Sequence, residues 1–286
     1  EAVRWFDHWL KGKDTGLLEE PQLAVYVRDY YPPNPALDRV PGQWRWEDGW
    51  PIERTERQEW FAQGDHGLSA EPAEEATHSM KYKPSVGLEG GGPTMWWGSV
   101  TPDQQAMDDH SLVYDSDPLK GPMEILGRPI ARLSVSADAP RANWVVRVSD
   151  VAPDGQVTQV AGAAFNGTHR NSAREPEDVV PGEVFPLEFK LHFTSWVFPK
   201  DHRVRVAISN AQWPMLWPTP MPMSSTLEMG GAGGTRVELP VMPPGAHKVP
   251  EFMLPEASPV LAGYETLDTG NISGYAAITS IEHDPE

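Results

Sequence analysis

NWVVRVSDVAPDGQVTQVAGAA, residues 143–164, holds two alternating runs on either side of a turn. In NWVVRVSDV (143–151) and QVTQVAGAA (156–164) apolar side chains recur with a period near two, as on a strand with a buried face. Ala152-Pro153-Asp154-Gly155 between them is a strong turn signal, so the stretch reads as a β-hairpin. Similar strand signals lie before it at 21–27, 111–116 and 124–136 and after it at 184–193, 202–210 and 235–241, with a weaker one at 58–62. Their spacing of about 8–12 residues, with no helices alternating, favours a sandwich or jelly roll over a parallel sheet. The fold class is therefore all-β.

Composition supports that reading. The 286 residues include 30 prolines and 25 glycines, yet 12 tryptophans argue against disorder. Short strands joined by long Pro/Gly-rich loops fit both facts. Residues 30–51 read as a Pro-rich loop ending in a Trp cluster, and 64–94 as surface loop. A net charge of −18 would repel a phosphate backbone, which excludes nucleic acid as an expected partner. No stretch is long and apolar enough for a membrane span. The absence of cysteine removes thiol chemistry but leaves the compartment open.

RWFDHWLKGKDTG (4–16) stands apart from the strands. Trp5, Phe6, Trp9 and Leu10 recur at helical spacing, Arg4, Asp7, His8 and Lys11 fall opposite, and Gly12 marks the stop. Two turns are too short to be stable alone, so this apolar face needs a partner. Trp5 and Trp9 are expected either to pack on the flank of the β domain or to drive association with another molecule.

A search for chemistry finds little. No Gly-x-Ser-x-Gly elbow occurs, since GLSAE (67–71) has only its first half, and EGGGPT (89–94) lacks the lysine of a phosphate loop. The nine histidines are scattered without metal-ligand spacing. Asp103, Asp108, Asp109, Asp115 and Asp117 lack EF-hand spacing and read as a solvated acidic loop. No catalytic residue, metal site or cofactor is expected. Trp44, Trp46, Trp50, Trp213 and Trp217 read chiefly as loop anchors. Trp96 and Trp97 read equally as anchors or as a binding surface, which leaves a free-standing carbohydrate-binding module with tryptophan platforms as the alternative function.

Several stretches together resemble one family: RWFDHWLKGKDTGLLEEP (4–21), PGQWRWEDGWP (41–51), DQQAMDDHSLVYDSDPLKGPMEILGRP (103–129), VRVSDVAPDGQ (146–156), FNGTHRNS (165–172), PGEVFPLEF (181–189), FPKDHRVRVAISNAQWPMLWPTP (198–220) and TRVELPV (235–241). In this order they are similar to the C-terminal domain of the CocE/NonD serine hydrolases, the group of cocaine esterase, X-prolyl dipeptidyl-peptidase and α-amino acid ester hydrolase. The resemblance implies a jelly-roll β-sandwich of galactose-binding-like fold over 21–245, with residues 1–20 as a linker helix leaving an α/β-hydrolase domain. It leaves 246–286 as a Pro-rich extension. The Ser-Asp-His triad would lie in the missing domain, so this chain is expected to be inactive alone. It implies that Met95, Trp96 and Trp97 form a substrate-pocket wall and that Trp5, Phe6 and Trp9 pack between domains. The partner implied is the α/β-hydrolase domain of the same or a companion chain, with a homodimer as a further expectation. His169 and Arg170 carry no catalytic role and are expected to make buried hydrogen bonds.

Overall fold

Fifteen strands and two α-helices account for most of the regular structure in a computed structural model that describes residues 1–90, 101–245 and 247–252. In chain order they are α1 (Ala2–Lys11), β1 (Leu23–Arg28), β2 (Gly42–Glu47), β3 (Glu56–Ala62), β4 (Gly67–Ser69), β5 (Ala76–Lys81) and α2 (Gln105–Asp108). There follow β6 (Leu112–Ser116), β7 (Met123–Gly127), β8 (Ile130–Ala137), β9 (Asn143–Val151) and β10 (Val157–Asn166). The last five are β11 (Phe185–Lys190), β12 (Thr194–Phe198), β13 (Arg203–Ser209), β14 (Ser224–Met229) and β15 (Arg236–Met242). β1 and β2 form a two-stranded sheet, and the other strands form one continuous ladder in the order β10-β9-β13-β6-β4-β3-β15-β8-β14-β5, with β11, β7 and β12 joined to its side. Pairings are antiparallel except β4 with β6. The fold is all-β.

The 143–164 hairpin forms as its sequence suggests. Gly155 takes φ +91°, and its N–H reaches the Ala152 carbonyl while the Ala152 N–H reaches Gln156. A register shift between Gln159 and Ala161 makes Val160 a bulge, whose carbonyl accepts from the Thr194 hydroxyl at 2.9 Å and Arg28 Nη2 at 3.3 Å. One face of β9 places Trp144, Val146 and Val148 in the main core with Tyr114, Trp196 and Phe198. Its other face is buried as well, because the 101–111 segment lies over Arg147.

Several sequence expectations need correction. The Pro-rich loop of 30–51 contains β2, and the surface loop of 64–94 contains β4 and β5. The single run at 124–136 is two strands, broken where Gly127 takes φ +137° before Arg128-Pro129. β12 and β14 gave no sequence signal. The acidic stretch is solvated only in part: Asp109 and Asp117 are exposed, but Asp108 is buried and binds Arg147 at 2.6 Å and Arg205 at 2.9 Å, and Arg205 also holds Asp115. Two strand arginines, with no other ion-pair partners among the described residues, draw these carboxylates in. Arg170 donates to the carbonyls of Gly167, Glu177 and Asp178 and so pins the loop after β10, but the bonds to Glu177 and Asp178 are exposed and not buried as expected.

Candidate docking surface

α1 ends as read, with Gly12 at φ 64° donating to the His8 carbonyl, and Lys11 and Lys13 both bridging Asp7. The polar side of the helix is tied down. Arg4 donates to both oxygens of Glu20, at 2.8 and 2.6 Å, and to Glu1 at 2.7 Å. Glu20 sits just before β1, so this fork fixes the helix against the start of the sheet. The Arg4 pairing holds the Glu20 carboxyl below its ordinary pKa.

The apolar side is left open. No residue of α1 is buried, and Trp5, Phe6 and Trp9 are 49%, 55% and 54% exposed. Packing on the flank of the β domain, one of the two sequence expectations for Trp5 and Trp9, is therefore not what the structure shows. The polar tether turns the stripe outward instead. Trp5 and Trp9 lie with ring centroids 5.9 Å apart. Between them and the β1–β2 sheet runs a groove of about 450 Å³, lined also by Leu18, Ala24, Trp46 and Phe252.

The aromatic surface continues across the outer face of the β1–β2 sheet. Trp44 stacks edge-on against Tyr26 at 5.4 Å and against Phe252 at 4.9 Å, and both Trp44 and Phe252 are 42% exposed. Phe252 is brought there because the Trp46 N–H binds the Lys248 carbonyl. The inner face carries Val25 and Val27, packed with Ile52, Leu126 and Met242. On β2, however, the inward residues are Arg45 and Glu47, both buried. Arg45 forms a two-pronged pair with Glu124, and Arg54 forms another with Glu47. Burial works against the Glu47 carboxylate, but Arg54 and Arg45 outweigh it and hold its pKa below the ordinary value. Polar residues inside and tryptophans outside invert the usual pattern of a strand.

Of the predicted site residues, Trp5, Phe6 and Trp9 thus share one open face. Met95, Trp96 and Trp97 lie outside the described residues. Their flanks are held by a buried side chain: Gln104 donates from Nε2 to the carbonyls of Gly90 at 3.2 Å and Pro102 at 2.7 Å, while its Oε1 accepts from Arg147 at 3.0 Å. Sequence reasoning missed Leu18, Tyr26, Trp44 and Phe252 as surface members. Trp44, Trp50 and Trp217, expected as loop anchors, are exposed, Trp217 by 82%. The alternation Trp44-Arg45-Trp46-Glu47 was the available signal for the sheet face. Among the described residues no group of three or more histidines and carboxylates could hold a metal ion, and no helix is long and apolar enough to cross a membrane.

Comparison with known proteins bears on what this face meets. Residues 16–239 match the model of a family described as the X-Pro dipeptidyl-peptidase C-terminal non-catalytic domain. The chain is 26% identical over 274 residues to a Mycobacterium bovis protein that carries a provisional serine esterase name, covering 85% of this chain and 41% of the relative. It is 24% identical over 225 residues to the cocaine esterase of a Rhodococcus species, covering 73% and 37%. The fold resembles that of an aminopeptidase from a marine sediment archaeon, Thaumarchaeota archaeon, with a TM-score of 0.66, 21% identity, and coverage of 84% of this chain and 43% of that one. The chain spans about two fifths of the length of the curated relatives it matches.

Proposed function

Since the chain belongs to the X-Pro dipeptidyl-peptidase C-terminal non-catalytic domain family, we propose that it serves a serine hydrolase of acyl-esterase or X-Pro dipeptidyl-peptidase type by docking on its α/β-hydrolase domain. The partner domain supplies the Ser-Asp-His triad and the acyl-enzyme route. This chain supplies a β body over 21–245, of jelly-roll, galactose-binding-like type, with residues 1–20 as the connection toward the catalytic domain and 246–286 as a Pro-rich extension. Met95, Trp96 and Trp97 contribute apolar wall to the substrate pocket.

The observation that carries the reading is the open aromatic face of α1 and the β1–β2 sheet. Isolated exposed hydrophobes need no explanation, but several exposed aromatics in mutual contact mark an interaction site. Covering the exposed half of one tryptophan is worth about 2–3 kcal/mol at the usual area coefficient. Three such rings offset much of the freedom lost on association, and a covalent tether between domains lowers that loss further.

The test mixes this chain with the separately produced α/β-hydrolase portion of its enzyme and follows complex formation by calorimetry. Trp5→Ser with Trp9→Ser should weaken binding at least tenfold while leaving the circular dichroism of the β domain unchanged. Equal affinity in the double variant would overturn the assignment of this face. Ester hydrolysis by this chain alone, surviving removal of its serines, would overturn the non-catalytic role.

A further inference from the structure

We propose that His66, His78 and Tyr114 form an acid-release catch that holds the terminal strand β5 against β4 and β6 at neutral pH and lets it go when both imidazoles are protonated. Among the described residues β5 ends the main ladder and takes its strand pairing from β14 alone. Its outward residues Thr77, Ser79 and Lys81 are exposed, and His78 faces inward opposite the buried Leu227. A second attachment therefore matters to this strand more than to any interior one.

The three rings lie nearly parallel. His66 and His78 stack with centroids 4.2 Å apart and planes 11° from parallel, and Tyr114 sits 5.6 Å from His66 and 5.8 Å from His78. The hydrogen bonds dictate the protonation pattern. The Gly64 carbonyl can only accept, so His78 carries its proton on Nε2, 3.1 Å away. Its Nδ1, 2.9 Å from the Tyr114 hydroxyl, must then accept. The Val113 carbonyl, 3.1 Å from His66 Nδ1, likewise places the His66 proton there and leaves Nε2 bare on an exposed ring. Tyr114 is fully buried, and burial pushes its phenol up, so it remains a donor.

Acid reverses this pattern. A proton on His78 Nδ1 makes it a donor, so the Tyr114 hydroxyl must accept from it and turn its own proton to the weak Met229 sulfur acceptor at 3.9 Å. A proton on His66 puts a second positive charge against the first at stacking distance. Burial, and then the charge of His66, already pull the His78 imidazole below its ordinary value, against the Gly64 carbonyl. The carboxylates on the neighbouring elements are engaged elsewhere. Asp65 accepts from the Gly67 N–H, Asp115 is held by Arg205, and Glu228 on β14 accepts from the Thr77 hydroxyl. None of the three is bonded to either ring. His66 is also held at φ 68°, a left-handed conformation that favours release once its bonds are lost.

Amide hydrogen exchange on the full chain at pH 7.5 and 5.0, corrected for intrinsic rates, tests the proposal. Protection of 76–81 should fall at least tenfold more than that of 143–151. His78→Gln keeps an amide donor for Gly64 and an acceptor for Tyr114 without titrating, and should abolish the difference; His66→Asn, which tolerates the left-handed backbone, should reduce it at least threefold. Parallel loss in β5 and β9, or an acid response that survives His78→Gln, would overturn it. Should a variant fail to fold, the imidazole and Tyr114 ring signals of the unaltered chain decide: they should move together through the His78 titration, and a static Tyr114 signal would overturn the catch.

Discussion

The β9–β10 hairpin and the β1–β2 sheet are both antiparallel pairs, and they are buried differently. β9 is covered on both sides, with Trp144, Val146 and Val148 in the core and the 101–111 segment over Arg147 on the other face. β1–β2 is covered on one side only, and its open side carries aromatics beside α1. In the first region apolar surface is spent on the chain's own fold. In the second, aromatic surface stays exposed, and the charged residues Arg45 and Glu47 go inside. The contrast teaches that burial of polar groups and exposure of aromatics are two aspects of one arrangement: a strand that turns its tryptophans outward must find counter-charges for what it turns inward.

Substitutions can break the contrast or sharpen it. The largest effect should come from Trp144→Ala, which empties a fully buried site and should cost about 3–5 kcal/mol in denaturant unfolding. Asp108→Ala should cost about 3 kcal/mol by leaving Arg147 and Arg205 facing each other without their shared carboxylate. By the same measurement Trp5→Ser or Trp9→Ser should cost about 1–2 kcal/mol, less than either core change, because each ring is about half exposed. A large loss there would mean that α1 belongs to the core after all.

The two regions should also differ in sign with pH. Glu47, held low by its arginines despite burial, contributes stability that is present above the ordinary glutamate value and lost as pH falls through its lowered one. Asp150 is the opposite case. Burial raises its pKa, although the Trp196 indole N–H at 2.8 Å and His202 at 2.7 Å partly oppose this. Its contribution is present below the ordinary aspartate value and lost as pH rises through the raised one. Glu47→Gln should therefore flatten the acid limb of the stability profile and Asp150→Asn the limb above it. Identical profiles for the two variants would erase the distinction. The smallest expected change is in Trp44→Ser, within about 0.5 kcal/mol for the chain alone, with weaker binding to the hydrolase domain as its readout.

What was legible in the sequence follows from these physics. The 143–164 hairpin, α1 with its Gly12 stop, and the strands at 203–209 and 236–242 were readable because their alternation or helical period matches what they bury. β2 was not, because Arg45 and Glu47 occupy the inward positions and Trp44 and Trp46 the outward ones. β5 was not, because an edge strand of Thr77, His78, Ser79 and Lys81 buries too little to imprint a period. The acidic stretch misled because no local pattern shows that Asp108 meets an arginine 39 residues later. For the site, the helical half was legible from Trp5 and Trp9. The sheet half was hidden in that inverted alternation, and Phe252 arrives through a backbone bond no pattern announces.

The bulge at Val160 has a mechanical consequence. A residue left over from strand pairing presents its carbonyl sideways, and Arg28, the last residue of β1, reaches it while also donating to the Ser195 carbonyl and the Thr194 hydroxyl and lying over the Trp196 ring at 5.2 Å. One guanidinium thus works as a rivet between the plate that carries the aromatic face and the body behind it. With the Arg45–Glu124 pair and the Val25 and Val27 packing, that side chain fixes how the plate sits on the body. Arg28→Lys, too short to span all four contacts, would keep every aromatic of the face and present them tilted.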